Sequence, residues 1–334
     1  MIAVDTKLNQ ASEYSHGEVV RKVCEQQGWK FEEIDPYTGL IGRISNDTKS
    51  LLWKSGTYPG NEATSVGIAN DKGYTGNILK SAGINVPDGD YFFVVPEYRE
   101  FRPDGKEITD ALVCANTMGY PVFVKPINGR AGQNAGVVSN DLELLHRLIE
   151  IGRRSHGTMV QKVVSGKEHR VYWADGEIGF TYRKIPAEIV GDGSSTVSQL
   201  IEQMNTSMIV SIAEGNEFAA NALAESGYNL QDTLPTGQKV VLSASANLNV
   251  GVLIDDFRSQ APEAVIEWTR KISKATGLSV LGIDLFAPNS IDDDPEDFTV
   301  LEVNASPMLK VAWALGYRER VEEIWRRIIS KNLK

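Results

Sequence analysis

Two apolar runs near the C-terminal end, residues 279–287 (SVLGIDLFA) and 298–304 (FTVLEVN), carry oxygen-bearing side chains at alternate positions. Successive side chains of a strand point to opposite faces. Gly282, Asp284 and Phe286 therefore share one face of the first run, and Glu302 and Asn304 share one face of the second. Paired, the strands would present two carboxylates and an amide together. That is a donor set for a hard dication such as Mg²⁺ or Mn²⁺, which takes oxygen ligands, keeps part of its water and bridges to substrate phosphates. Both acids lie in apolar sequence, where an unpaired carboxylate is costly, and this favours a ligand role over an edge-strand charge. The acidic stretch between the runs, residues 292–297, reads as a solvated turn.

A second group surrounds Lys125, at the end of the apolar run PVFVKP. The loop NGRAGQNAG follows it at once, with Gly129, Gly132 and Gly136. Small residues let backbone N–H groups approach phosphate oxygens, and an ammonium beside them adds charge. The loop lacks the G-K-[ST] ending of a Walker loop and the spacing of a dinucleotide fingerprint, and by itself it could be a simple turn. The third group is VQKVVSGKE. It sets residues 161–164 at a strand end before a turn, where backbone groups could read an adenine edge, and Glu168 just beyond could accept from ribose hydroxyls. Lys162 could equally be a solvated surface lysine.

These groups need elements to hold them. Val19, Val20, Val23 and Cys24 recur at helical spacing over residues 16–27, before the stop at Gly28. A helix is expected from Asp71 to Ala82, ended at Gly83, and others near residues 107–117, 141–152 and 261–276. Strands are expected at VFVKP, AGVVS and TMVQKVV, with a hairpin through HRVYWADGEIGFTYRKI. Residues 194–235 are polar and mixed, with no assignable chemistry. Val321, Ile324, Trp325 and Ile328 form the apolar stripe of a last helix. The organisation expected is an N-terminal α/β lobe over residues 1–68, a central lobe over 69–165 and a large C-terminal lobe over 166–334.

Composition narrows the function classes. The chain has 334 residues, 42% of them hydrophobic, enough for more than one lobe with its own core. Lys and Arg number 34 against 44 Asp and Glu, a net charge of −10, which argues against an electrostatic grip on nucleic acid or an anionic membrane. Cys24 and Cys114 sit in apolar-periodic stretches, as buried reduced thiols would, and no Cys/His spacing suggests zinc. Without a signal-like start or a run of transmembrane length, the expected compartment is the cytoplasm.

Taken in order, Asp71-Lys72, Lys125 with its glycine loop, residues 161–168, Asp284 and Glu302-Val303-Asn304 resemble the ATP-grasp superfamily. The stretches NEATSVGIANDKGYTGNILKSAGINVPDG, RKIPAEIVGDGSSTVSQLIEQMN and LEVNASP look like the ATP-grasp portions of cyanophycin synthetase and of bifunctional glutathione synthetase; D-alanine:D-alanine ligase is more distant. The resemblance runs from about residue 40 to the C-terminus. It implies an α+β fold in which two lobes grip ATP, preceded by the small N-terminal lobe. Lys72, Lys125 and Lys162 would contact nucleotide, and the loop 128–136 would close over the phosphates. Gln161 and Val164 would meet the adenine, Glu168 the ribose, and Asp284, Glu302 and Asn304 would hold Mg²⁺ or Mn²⁺.

The activity implied is an ATP-dependent carboxylate–amine ligation. A carboxylate attacks the γ-phosphoryl group, an acyl-phosphate forms, and an amine displaces phosphate while a cationic side chain steadies the oxyanion. Arg183, Lys184 and Asn304 are the residues expected near that chemistry. Small carboxylates and amines, amino acids above all, are the expected partners, and related ligases are often dimers or tetramers.

Two departures bear on the substrate. Lys184 stands where those relatives carry Arg before I-P-A, and the two cations differ in how they hold a carboxylate. VVLSASANLNVGV has Ser243 at an Arg position of the family pattern, and Asn249-Val250 for Ser-Thr. The substrate should therefore differ from those of the two named relatives. A ligase acting on a precursor peptide and a non-catalytic nucleotide-binding regulator are the rival readings.

Overall fold

The computed structural model describes residues 14–97, 99–102, 104–129, 134–205, 217–242 and 252–334. Helix α1, His16–Gln27, starts at Ser15, whose hydroxyl accepts from the Glu18 N–H, and stops at Gly28 in the left-handed conformation (φ 70°). It buries Val19, Val20, Val23 and Cys24, the residues its period selects. Strands β1 (Lys30–Glu33), β2 (Ile41–Ser45) and β3 (Ser50–Lys54) follow as an antiparallel sheet. Helices α2 (Ala63–Ala69) and α3 (Lys72–Ser81) lead into a four-stranded antiparallel sheet in the order β4-β7-β5-β6. These strands are β4 (Gly89–Phe93), β5 (Val122–Pro126), β6 (Gly136–Val138) and β7 (Gly157–Lys162). Helices α4 (Ile108–Met118) and α5 (Asp141–Gly152) cover one face, closing a core that includes Ala111, Ala115, Val124, Leu144 and Leu148.

The largest sheet is antiparallel with five strands, in the order β12-β9-β8-β13-β14. Its strands are β8 (Lys167–Ala174), β9 (Glu177–Pro186), β12 (Val252–Arg258), β13 (Val280–Ala287) and β14 (Thr299–Asn304). One face packs Val171, Trp173, Ile283 and Leu285 against helix α8 (Glu263–Thr276), with Leu79 of α3 and Ile84 joining that core. On the opposite face, Tyr172, Phe180, Tyr182 and Val280 meet helices α9 (Lys310–Ala314) and α10 (Arg318–Asn332), and helix α1. Val321, Ile324, Trp325 and Ile328 of α10 are all fully buried there, as the predicted stripe requires.

Between β9 and β12 the chain leaves this sheet to form β10 (Glu188–Val190), α6 (Val197–Asn205), α7 (Glu217–Glu225) and β11 (Lys239–Val241), which share a separate core around Val197, Leu223, Leu234 and Leu242. Its point of departure, Pro186, and its point of return, Val252, are register partners. Residues 194–235 thus contribute to a small packed unit. Of the two cysteines, Cys24 is buried and Cys114 is half-buried, and both are free thiols.

Candidate active site

Strands β13 and β14 pair with Gly282 opposite Asn304 and Asp284 opposite Glu302, so the predicted oxygen set does share one face. On its other side β13 pairs with β8, which sets Arg170 opposite Asp284. The guanidinium grips the carboxylate with two parallel hydrogen bonds, Nε to Oδ1 and Nη2 to Oδ2, each 2.6 Å. Lys184, reaching over from β9, puts its Nζ 2.7 Å from Asp284 Oδ1 and 2.8 Å from Glu168 Oε1. Asn304 Nδ2 donates to Asp284 Oδ2 at 3.5 Å. The network holds two acids and two bases, and the Lys184 and Asp284 side chains are only 5% and 10% exposed.

Burial pushes the Asp284 carboxyl up, but Arg170 and Lys184 outweigh it and hold the group well below the usual carboxylate range. For Lys184, burial works against the charge and Asp284 wins, so the ammonium is held above its ordinary value. Glu168, with only a share of Lys184, is pushed up by burial.

Beside this network a cleft opens between α3, β5, β7 and β14, lined in part by Lys72, Lys125, Gln161 and Glu302. Asp71 caps α3 by accepting from the Gly73 and Tyr74 N–H groups at 2.8 and 3.0 Å, and the Lys72 N–H donates to the Ile127 carbonyl just past β5. The start of α3 is thereby pinned to the four-stranded sheet. Lys72 Nζ lies 3.7 Å from Glu302 Oε1 and donates to the Gly129 carbonyl at 3.3 Å.

Lys125 reaches the cleft from β5. The register of β13 on β14 steps from Asp284 opposite Glu302 to Leu285 opposite Val300, which leaves Leu301 as the extra residue of a bulge. Its carbonyl accepts from Lys125 Nζ at 3.0 Å. Burial brings this ammonium down to about 8, opposed by the Glu302 charge and reinforced by the neighbouring Lys72.

The other predicted residues fall in different settings. Gln161 is buried on β7, opposite Gly89, where a Cβ would stand 2.2 Å from the Val160 carbonyl oxygen. Lys162 is exposed and paired with Asp88 at 3.4 Å, as a surface lysine would be. Val164 is half-buried in the turn after β7. Arg183 faces away from Asp284, because it precedes Lys184 on the strand; its Nε donates to Asp255 Oδ1 of β12 at 2.7 Å. Gly136 opens β6, opposite Val124. Gly132, Ser243, Asn249 and Val250 lie outside the described residues.

Arg170 escaped the sequence reading. The available signal was its position two residues after Glu168 in the alternating hairpin strand, which puts both on one face.

The donor set fits a hard dication. Glu302 is one-third exposed to the cleft, and Asn304 adds an amide oxygen on the same face. Asp284 already receives four donors, so it joins such a set by giving one up. Among the described residues no three His, Cys, Asp or Glu side chains gather around a cation position, so the set consists of two carboxylates and one amide.

This chain is similar to several known proteins in fold and in sequence. The solved structures it resembles include a bifunctional glutathione synthetase from Pasteurella multocida, with a TM-score of 0.53 at 20% identity over 91% of this chain and 44% of that one. They also include a D-alanine–D-alanine ligase from Bacillus anthracis, with a TM-score of 0.52 at 18% identity over 83% and 72%. The chain has the ATP-grasp fold. The α+β architecture implied by the sequence resemblance is therefore the observed one.

In sequence, the chain is similar to cyanophycin synthetase of Synechocystis sp., 30% identical over 256 residues, covering 72% of this chain and 28% of the relative. The cyanophycin synthetase of Geminocystis herdmanii is 27% identical over 254 residues with the same coverage. A glutathione biosynthesis bifunctional protein of Streptococcus mutans is 26% identical over 303 residues, 85% of this chain and 38% of the relative. The chain thus spans only 28% to 38% of the length of these relatives. No protein-family model matches it. Among the described residues no helix of this ATP-grasp chain is long and apolar enough to cross a membrane.

Proposed function

We propose that this chain is an ATP-dependent ligase that joins a carboxylate to an amine, releasing ADP and phosphate, with amino acids or small derivatives of them as substrates. The observation that carries the proposal is the convergence of Lys72, Lys125 and Glu302 on one cleft, delivered by three elements that the ATP-grasp fold brings together. Two ammonium groups beside a carboxylate suit the phosphates of a nucleotide and the dication, Mg²⁺ or Mn²⁺, that accompanies them. The dication would be held by Glu302, Asn304 and Asp284 and would supply charge neutralisation at the phosphates. The lobe boundaries we assign are residues 1–68, 69–165 and 166–334.

Lys72 and Lys125 orient the phosphate chain, and the loop 128–136, with Gly129, Gly132 and Gly136, would close over it. Gln161 and Val164 meet the adenine, and Glu168 takes the ribose when Lys184 turns from it to the substrate. The substrate carboxylate attacks the γ-phosphoryl group in line and ADP leaves. The amine then attacks the acyl-phosphate carbonyl, Lys184 steadies the oxyanion, and phosphate departs. We assign that task to Lys184 because it lies inside the network, whereas Arg183 is held on the opposite face by Asp255.

The test uses ATP, Mg²⁺, hydroxylamine and a panel of amino acids and small carboxylates, with hydroxamate and ADP measured together. Hydroxamate in step with ADP establishes acyl-phosphate chemistry and names the carboxylate. Silence across the panel, with ATP bound, removes the small-molecule ligase reading.

A further inference from the structure

Asp284 has room for about four hydrogen bonds as a carboxylate, and all four positions are taken: two by Arg170, one by Lys184 and one by Asn304. Glu302, its cross-strand partner, faces the cleft; among the described residues its one ion pair is with Lys72, at 3.7 Å, and the charges of Lys125 and Arg170 act on it from further off. The two carboxylates assigned to one dication are thus differently prepared. Gly282 is part of the arrangement: a Cβ there would stand 3.1 Å from Arg170 Nη1 and 2.7 Å from the Pro307 Cβ, so a side chain would press on the guanidinium.

We propose that Arg170 is an internal counter-cation. It occupies Asp284 in the nucleotide-free protein and competes with the dication for that carboxylate, so that the metal is admitted with the nucleotide phosphates rather than before them. The inference rests on the metal assignment of the proposed function, and it makes Arg170 a positioning residue, acting through Asp284. Its physical basis is that a buried carboxylate already neutralised by a bidentate guanidinium offers little net charge to a second cation. Freed of the guanidinium, it keeps Lys184 as its one paired cation and the Asn304 amide as a neutral donor.

The sign of one measurement decides the matter. Residues that orient metal ligands usually weaken metal binding about 10–100-fold when removed. Removal of a competitor strengthens it. We would titrate nucleotide-free protein with Mn²⁺ alone and follow the free ion by electron paramagnetic resonance, comparing wild type, Arg170→Gln, Arg170→Lys and the double variant Arg170→Gln/Asp284→Asn. Each variant's fold would be verified by circular dichroism.

Arg170→Gln should bind Mn²⁺ about 10-fold more tightly than wild type, an effect as large as those of orienting partners but opposite in sign. Arg170→Lys, which keeps the charge and loses the fork, should fall between the two and carries the test if Arg170→Gln does not fold. The double variant should lose the gain. Unchanged or weaker Mn²⁺ binding in both single variants overturns the competition. If wild type binds Mn²⁺ with ATP present and only the expected tightening is missing, this inference alone fails. If Mn²⁺ fails to bind wild type even with ATP, the ligand assignment fails as well. Hydroxamate formation by the wild-type protein with ATP and Mg²⁺ is read separately and tests the ligase reading itself.

Discussion

Lys125, on the four-stranded sheet, donates 3.0 Å to the backbone carbonyl of Leu301, the extra residue of a bulge in the five-stranded sheet. The lysine thereby reaches from one sheet to the main chain of the other, and both residues line the cleft. The same ammonium lies within the influence of Glu302 and Lys72, so one side chain joins the two sheets and supplies charge to the candidate phosphate site.

Replacing Lys125 by Met should therefore separate stability from binding. The buried charge is held against a shift from the ordinary lysine value to about 8, a cost of roughly 3 kcal/mol, while the variant leaves the Leu301 carbonyl unpaired at about 1–3 kcal/mol. These terms offset, so denaturant unfolding at neutral pH should change by less than about 2 kcal/mol. ATP affinity, read by calorimetry, should fall at least about tenfold, the loss of one charge-assisted contact. The folded protein holds fewer protons on Lys125 than the unfolded chain from pH 8 up to the ordinary lysine value. Wild-type stability gains from this group as pH rises through that window, and the variant should lack the gain.

Glu302→Gln keeps the shape of the side chain and removes the open carboxylate of the oxygen set. ADP formation should fall by about 100-fold or more, with the thermal midpoint little changed, since Glu302 is one-third exposed and its nearest cation is 3.7 Å away. Turnover near the wild-type level would remove Glu302 from the ligand set.

Gly282→Ala places a methyl group against the Pro307 Cβ and the Arg170 guanidinium. Overpacking of this kind costs about 1–3 kcal/mol. Urea unfolding should register the loss. A crystal structure of the variant should show Arg170 displaced from Asp284; an undisturbed pair would mean that Pro307 absorbs the strain.

The elements were readable where one period or one cap decides them. Val19, Val20, Val23 and Cys24 with Gly28 delimit α1, and alternation alone puts Asp284 with Gly282 and Glu302 with Asn304. The short link between β13 and β14 then made their pairing the simplest arrangement. Arg170 was different: it meets Asp284 across 114 positions of sequence through a β8–β13 register that no local pattern specifies. The Leu301 bulge was hidden for a related reason, since it exists only as an offset between two strands. Lys162 shows the converse, because a lysine at a strand end has the same sequence signature whether its task is to contact a nucleotide or to make the Asp88 pairing seen in this structure.

His16 offers a pH readout far from the cleft. Burial lowers its imidazole to about 4, among the rings of Tyr14, Tyr58 and Trp325. Between that value and the ordinary 6.5 the unfolded chain takes up a proton that the folded protein does not, so stability falls as pH drops through this window and the full loss is reached below about 4. At about pH 5 the loss should be on the order of 2 kcal/mol. His16→Gln should flatten this part of the stability profile, compared by urea unfolding at about pH 5 and pH 7; parallel profiles would mean that other groups set the acid response.

The unit built from β10, β11, α6 and α7 leaves the five-stranded sheet at Pro186 and returns at Val252, two residues facing each other across adjacent strands. Because its stem closes on a single rung of the ladder and, of the five-stranded sheet, Leu253 of β12 packs against its core, added length beyond that rung costs the sheet little more than loop-closure entropy. Such a stretch can be lengthened or trimmed like a cassette while Lys184, on one strand of the stem, stays in register with the charges it serves.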